Sequence, residues 1–150
     1  MLMLEKLMSF QEDLGMRRAD LSQRKIMIVD GNSHYIRLIE RILQFNSYQN
    51  ILSTTDPMKA VDMYVKTQPD LLLMDMEMTS INGMDVLKML QIDRHSGSLP
   101  VILFSDQTDT DQKARALDLG AQDVIAKPFR QTEVVASIQR FFEQNQQTEN

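Results

Sequence analysis

Pro69-Asp70-Leu71-Leu72-Leu73-Met74-Asp75-Met76-Glu77-Met78 sets a continuous apolar run between a Pro-Asp break and a carboxylate. The run is too short for a typical helix, and its flanks are those of a strand. An unbroken apolar strand is one covered on both faces, as in a parallel sheet with helices on each side. Asp75 then stands at the carboxyl end of a central strand, the edge where open α/β sheets bind ligands. A carboxylate there serves as a metal ligand, a nucleophile or a capping residue.

The rest of the chain bounds these options. A length of 150 residues and 43% hydrophobic content suit one domain with a real core. The net charge of -5 argues against a nucleic-acid-binding surface, which should be basic. The absence of cysteine removes thiol catalysis, thiolate metal sites and disulfides. With only His34 and His95 as imidazoles, zinc chemistry is disfavoured. No apolar run approaches transmembrane length, so no membrane insertion is expected. The opening Met1-Leu2-Met3-Leu4 is cut by Glu5 and Lys6 and is no signal peptide, which makes the cytoplasm the default location. The 12 methionines read as core filler.

Outward from the central run, the same grammar repeats. Residues 1–24 read as a helical extension, with Leu4, Leu7, Met8 and Leu14 on one face and Leu7, Leu14 and Leu21 seven apart. That face is expected to dock on its own domain, on a partner or on a second copy as a homodimer. Ile26-Met27-Ile28-Val29 is a strand closed by Asp30-Gly31-Asn32-Ser33, and Tyr35 to Phe45 has helical spacing. Ile51 to Thr55 is a strand, and Asp56-Pro57 opens a helix reaching about Thr67. After the Asp75 strand come a turn at Ser80-Ile81-Asn82-Gly83 and a helix from Met84 to Leu90. A loop holding His95 leads to the strand Val101-Ile102-Leu103-Phe104, then a helix from about Thr110 to Leu119 that stops at Gly120. Val124-Ile125-Ala126 is the last strand, and the last helix runs from Glu133 to about Phe142. Residues 144–150 are polar and expected to be a disordered tail.

Five strand–helix units with short connections imply a doubly wound parallel sheet with right-handed crossovers. Every carboxyl strand end then lies on one edge, and Asp30, Asp75, Ser105 and Lys127 each stand at such an end. Two carboxylates suit a hard divalent cation such as magnesium, which in turn favours their ionised form. An ionised aspartate can attack phosphorus to give an acyl phosphate. Such transfer needs positioning and charge neutralisation more than proton transfer. Lys127 offers a mobile point charge and Ser105 a hydroxyl for the phosphoryl oxygens. The set is competent in type for transient phosphorylation of Asp75.

From Lys25 to about Phe142 the chain resembles the receiver domain of two-component response regulators, in particular stand-alone, chemotaxis-regulator-like receivers. The resemblance rests on Ile28-Val29-Asp30, Pro69 through Asp75, Gly83, Pro100 through Ser105, Gly120-Ala121 and Lys127-Pro128-Phe129, in that order and spacing. It implies a flavodoxin-like fold of five strands in the order 2-1-3-4-5 with five helices over residues 25–143. It also implies a signalling module rather than an enzyme, with at most self-catalysed phosphoryl transfer and dephosphorylation. Asp75 is the implied phosphoacceptor. Asp30, Asp75 and the main-chain carbonyl of Glu77 are the implied magnesium ligands, and Ser105 and Lys127 read the phosphoryl group. The implied partners are a histidine kinase or phosphotransfer protein and a downstream protein target. No output domain fits in the remaining residues, so a single-domain regulator is expected.

Four positions depart from the family pattern. Gly31 replaces the second acid, the direct metal ligand, with Asn32 as a substitute oxygen nearby. Asp106 replaces a small residue after the switch hydroxyl, Val124 replaces the aromatic that rotates inward on activation, and Thr79 replaces a proline. Gly31 and Asp106 imply weak magnesium binding and slow phosphorylation. They also support an alternative, a pseudo-receiver acting as a phosphorylation-independent binding module. Val124 bears on the output face. A flavin-binding flavodoxin would need a hydroxyl- and glycine-rich phosphate loop where Asp30-Gly31-Asn32-Ser33 stands. His34 reads as solvent-facing rather than as a phosphate or metal contact. The Asp106 to Asp111 run reads as a helix entry capped by Asp109 or Thr110, since it lacks the central glycine and final glutamate of a calcium loop.

Overall fold

The computed structural model describes residues 2–92, 98–107 and 109–148, with the side chains of 10–20 and 146–148 outside that description. His95 and Thr108 therefore lie outside the described residues. The strands are β1 (Lys25–Val29), β2 (Asn50–Thr54), β3 (Leu71–Asp75), β4 (Val101–Ser105) and β5 (Asp123–Ala126). The helices are α1 (Leu2–Gln23), α2 (Ser33–Phe45), α3 (Ala60–Thr67), α4 (Gly83–Gln91), α5 (Thr110–Asp118) and α6 (Gln131–Thr148). The five strands form one parallel sheet in the order β2-β1-β3-β4-β5. This is the flavodoxin-like, doubly wound order expected from the sequence.

The continuous apolar runs are explained by the two layers they serve. Successive strand residues point to opposite faces. Ile26, Ile28, Leu71, Leu73, Ile102, Phe104 and Ile125 join residues of α2 and α6 in one core. Met27, Val29, Leu72, Met74, Val101 and Leu103 join residues of α3, α4 and α5 in the other. All five residues of β3 and of β4 are buried. Each buried Leu, Ile or Val stabilises the fold by roughly 1.5–3 kcal/mol, so a register slip that moved polar neighbours inward would be heavily disfavoured.

The helices begin where local chemistry says they should. Asn32 Oδ1 accepts from the His34 N–H to cap α2, Asn82 Oδ1 from Asp85 to cap α4, and Asp109 Oδ1 from Asp111 to cap α5. The Asp56-Pro57 entry first makes a 3-10 turn over Pro57–Lys59 before α3. One element differs from the sequence reading. α6 continues to Thr148, past Phe142 and into the polar run expected to be a disordered tail, because that run contains good helix formers and no glycine or proline. α1 is helical as read, and its Leu4, Leu7 and Met8 are exposed, which leaves a partner or a second copy among the covers expected for them. Leu14 lies outside the described side chains, and at the far end of α1 Leu21 packs on the α2–α6 core.

Candidate functional site

The sheet register assembles the site. Val29 pairs with Met74, which sets Asp30 beside Asp75 at the carboxyl edge. Asp75 pairs with Phe104, so Ser105 follows one step on, and Ser105 pairs with Ala126, so Lys127 follows that. The ladder continues past the strands through Met76 N–H to Phe104 O at 2.7 Å and Lys127 N–H to Ser105 O at 2.8 Å. All four edge residues are buried.

Lys127 is the centre of the cluster. Its Nζ lies 2.8 Å from Asp30 Oδ2 and 3.3 Å from Asp75 Oδ1. The contact to Asp30 is a hydrogen bond, whereas Asp75 Oδ1 is close enough for charge attraction but has no aligned donor. The ammonium also sits 3.8 Å from the ring centroid of Tyr35, within cation–π range. Tyr35 in turn packs on Phe129, which packs on Phe104, so the corner after β5 is fixed by three rings. Lys127 is therefore a clamped charge and not the mobile one its side-chain length suggested.

The charges follow from this geometry. Burial pushes the Asp75 carboxyl up to about 6 from an ordinary 3.8; Lys127 opposes the rise, while the charges of Asp30 and Glu77 add to it. Burial alone would lower the Lys127 ammonium, but the hydrogen bond and charge of Asp30, with the charge of Asp75, outweigh it and raise its pKa. Near neutral pH the site thus holds an ionised Asp75 at modest electrostatic cost beside a permanently charged lysine.

Ser105 stands at the edge of the sheet as expected, and its hydroxyl is already engaged. Its Oγ donates to Glu77 Oε1 at 2.5 Å, and the Asp106 N–H donates to Glu77 Oε2 at 3.2 Å. The hydroxyl thus faces a carboxylate from the β3–α4 loop, and Asp106 is exposed. Asn32 spends its side-chain oxygen on the α2 cap, and its N–H donates to Asp30 Oδ1 at 2.8 Å. It is thus committed to the turn rather than offered to a metal. His34 is exposed. Val124 is half-buried and lines a pocket with Met76, Ser105, Lys113 and Ala126. Gly31 is the open corner: a Cβ there would meet no heavy atom within 4 Å.

The sequence reading missed two side chains. Helical spacing makes Tyr35 no more than the start of α2, although an aromatic in the first turn after β1 has the reach to cover the edge. Glu77 was considered only for its carbonyl. The available signal was an acid two residues past a strand end whose neighbouring strand ends in a serine.

Comparison with known proteins bears on the same region. A family model described as the response regulator receiver domain matches residues 26–139. The chain is 32% identical over 114 residues to the response regulator ArlR of Staphylococcus aureus, covering 76% of this chain and 50% of that protein. It is 27% identical over 126 residues to the DNA-binding response regulator MtrA of Mycobacterium tuberculosis, covering 84% of this chain and 54% of that protein. The chain spans about half the length of the curated relatives it matches. A solved signal receiver domain from Vibrio parahaemolyticus superimposes with a TM-score of 0.76 at 17% identity, covering 84% of this chain and 95% of that one. A structure described as a response regulator from Chloroflexus aurantiacus gives 0.71 at 24% identity, covering 79% and 96%. At these identities the two structures speak for the fold.

Proposed function

The chain belongs to the response regulator receiver family, and we propose that it accepts a phosphoryl group on Asp75 from a histidine kinase or phosphotransfer protein and signals through protein contacts. The observation that carries this reading is the buried Asp30–Lys127–Asp75 cluster at the carboxyl edge of the sheet. In the reaction an Asp75 oxygen attacks phosphorus. The new O–P bond forms as the bond from phosphorus to the donor's imidazole nitrogen breaks, and that nitrogen keeps the electron pair and takes up a proton. Lys127 holds positive charge beside the attacking carboxylate and stays protonated throughout. The net charge of -5 favours protein over nucleic-acid contacts for the receiver itself.

The donor set suits magnesium in kind. It offers oxygens only, and one of them, Asp75 Oδ1, is buried without a hydrogen bond. Asp75 and the Glu77 carbonyl would hold the cation, with Asp30 behind them. When bound it supplies positive charge to neutralise the phosphoryl oxygens. Gly31 adds no ligand, and among the described residues no three acidic or imidazole side chains gather as a metal cluster. The reading is therefore one of weak binding.

A second reading is supported by Gly31 and by the engagement of the Ser105 hydroxyl with Glu77: a pseudo-receiver that binds its partner without phosphorylation. Intact-mass spectrometry after incubation with phosphoramidate and magnesium separates the two. Addition of one phosphoryl group to the wild type and none to Asp75→Asn is the expected result. No addition to the wild type across donors and metals would leave the pseudo-receiver.

A further inference from the structure

The Glu77 carboxylate uses both of its oxygens on the loop after β4. Oε1 accepts from the Ser105 hydroxyl and Oε2 from the Asp106 N–H. Ser105 is buried, and its Oγ also accepts from the Gln107 N–H at 3.1 Å. The Gln107 carbonyl also lies within reach of this hydroxyl at 3.1 Å, but the hydroxyl has a single proton, and the shorter 2.5 Å contact directs it to the charged Glu77. A hydroxyl and an adjacent main-chain N–H converging on two oxygens of one anion form a grip that serves carboxylates and phosphoryl groups equally. The grip lies one strand over from Asp75 and begins one residue past its register partner Phe104.

Building on the reading of Asp75 as phosphoacceptor, we infer that the Glu77 side chain is an internal stand-in for the phosphoryl group, holding the Ser105 hydroxyl and Asp106 N–H until the transferred group displaces it. Glu77 is a positioning residue in this role, since its carboxylate reaches the loop and not the reacting atoms. It has two consequences. The loop after β4 is held in its anion-gripping arrangement before any phosphoryl arrives. Phosphorylation must also break a charge-assisted hydrogen bond and bring new negative charge beside Asp30 and Glu77, which slows it.

Two measurements on the full chain test this, using Glu77→Ala and Glu77→Gln. The first needs no phosphorylation: nitrogen-15 NMR of the unmodified protein, following the Asp106 and Gln107 amides. Loss of the carboxylate is expected to move the Asp106 amide proton upfield in both variants, while dispersed spectra show that the fold is kept. An unmoved Asp106 amide in Glu77→Ala overturns the inference. The second is the phosphorylation rate with phosphoramidate and magnesium, read by intact mass against Asp75→Asn. Glu77→Ala is expected to be on the order of tenfold faster than the wild type, the rate equivalent of one charge-assisted hydrogen bond that need not be broken. Glu77→Gln should fall between them. Equal rates, or a slower Glu77→Ala, overturn the inference while the phosphoacceptor reading stands. No mass shift in any form overturns that reading and the inference with it.

Discussion

Lys127 bonds to Asp30 at 2.8 Å and stands 3.3 Å from Asp75, so the site's only buried cation among the described residues is anchored by one carboxylate and shared with the other. The anchor explains how two aspartates can sit side by side at the end of adjacent strands. Removing the cation leaves both charges buried without compensation, which costs about 3–5 kcal/mol when a buried pair is broken. Lys127→Met should therefore be destabilised by about that amount at pH 7.5. Much of the loss should be recovered near pH 5, because Asp75 then takes up a proton more readily than in the wild type. Melting temperatures of the two proteins at both pH values check this; a pH-independent gap would mean that packing, not charge, dominates.

Asp75 itself gives a pH dependence of definite sign. Its folded pKa, raised to about 6, exceeds the unfolded value of about 3.8. Between these values the folded state binds more protons, so stability falls as pH rises through this window. The stabilising contribution of the protonated carboxyl is fully present below pH 4 and is lost above 6. Asp75→Asn should melt several degrees higher than the wild type at pH 7.5, with a shift of about 2–3 kcal/mol. The two curves should converge near pH 4. A gap of constant size across the range would count against a raised Asp75.

Gly83 opens α4 where the chain passes under β3. A Cβ there would lie 2.9 Å from Met76 Cα and 3.0 Å from Asp75 O, closer than backbone atoms tolerate. Gly83→Ala must displace the β3 end that carries Asp75. A loss of about 1–3 kcal/mol is expected for such overpacking, read by denaturant titration. NMR shifts at Asp75 and Met76 should accompany it.

The sheet and its edge were legible because they depend on order along the chain. Apolar runs of β1, β3 and β4 gave strands, and strands with short helical connections gave an order in which Asp30, Asp75, Ser105 and Lys127 share one edge. What escaped depends on side-chain direction. Glu77 could have faced solvent, a metal or the β4 loop, and only the packed loop selects Ser105. Lys127 looked mobile because its length is visible in a sequence and its burial beneath Tyr35 is not. The docking of α1 was unreadable for another reason. Its apolar face does not meet its own domain at Leu4, Leu7 and Met8, so the pattern of the receiver's strands and helices does not encode a cover for these three residues.

Gly31 offers a gain-of-function test. Its φ lies outside the left-handed region and the space around it is open, so a side chain meets no backbone strain and no clash. Gly31→Asp should keep the wild-type melting temperature without metal. A third carboxylate near Asp30 and Asp75 should strengthen magnesium binding on the order of tenfold, since the cation exchanges its waters reluctantly for too few protein ligands. Calorimetric titration reads the affinity. Equal affinity at equal stability would show that Gly31 does not limit the metal site.

Leu2, Met3, Leu4, Leu7 and Met8 are between 54% and 76% exposed on α1. A helix presenting that much apolar surface is marginal in water unless something covers it. At the other end of α1, Leu21 packs on the core, and just beyond it the Arg24 guanidinium stacks on the Phe142 ring at 5.4 Å. Deleting residues 1–19 keeps both contacts and should leave a folded receiver with its melting temperature lowered little. The same deletion should reduce self-association if a second copy covers the helix. Sedimentation velocity over a range of concentrations reads this directly. If full-length and truncated chains are both monomeric throughout, a copy of this chain is not the cover. Replacing Leu4 and Leu7 with glutamate provides the matching point variant. It should weaken self-association as the deletion does while leaving the melting temperature of the receiver unchanged, because neither side chain packs on the domain.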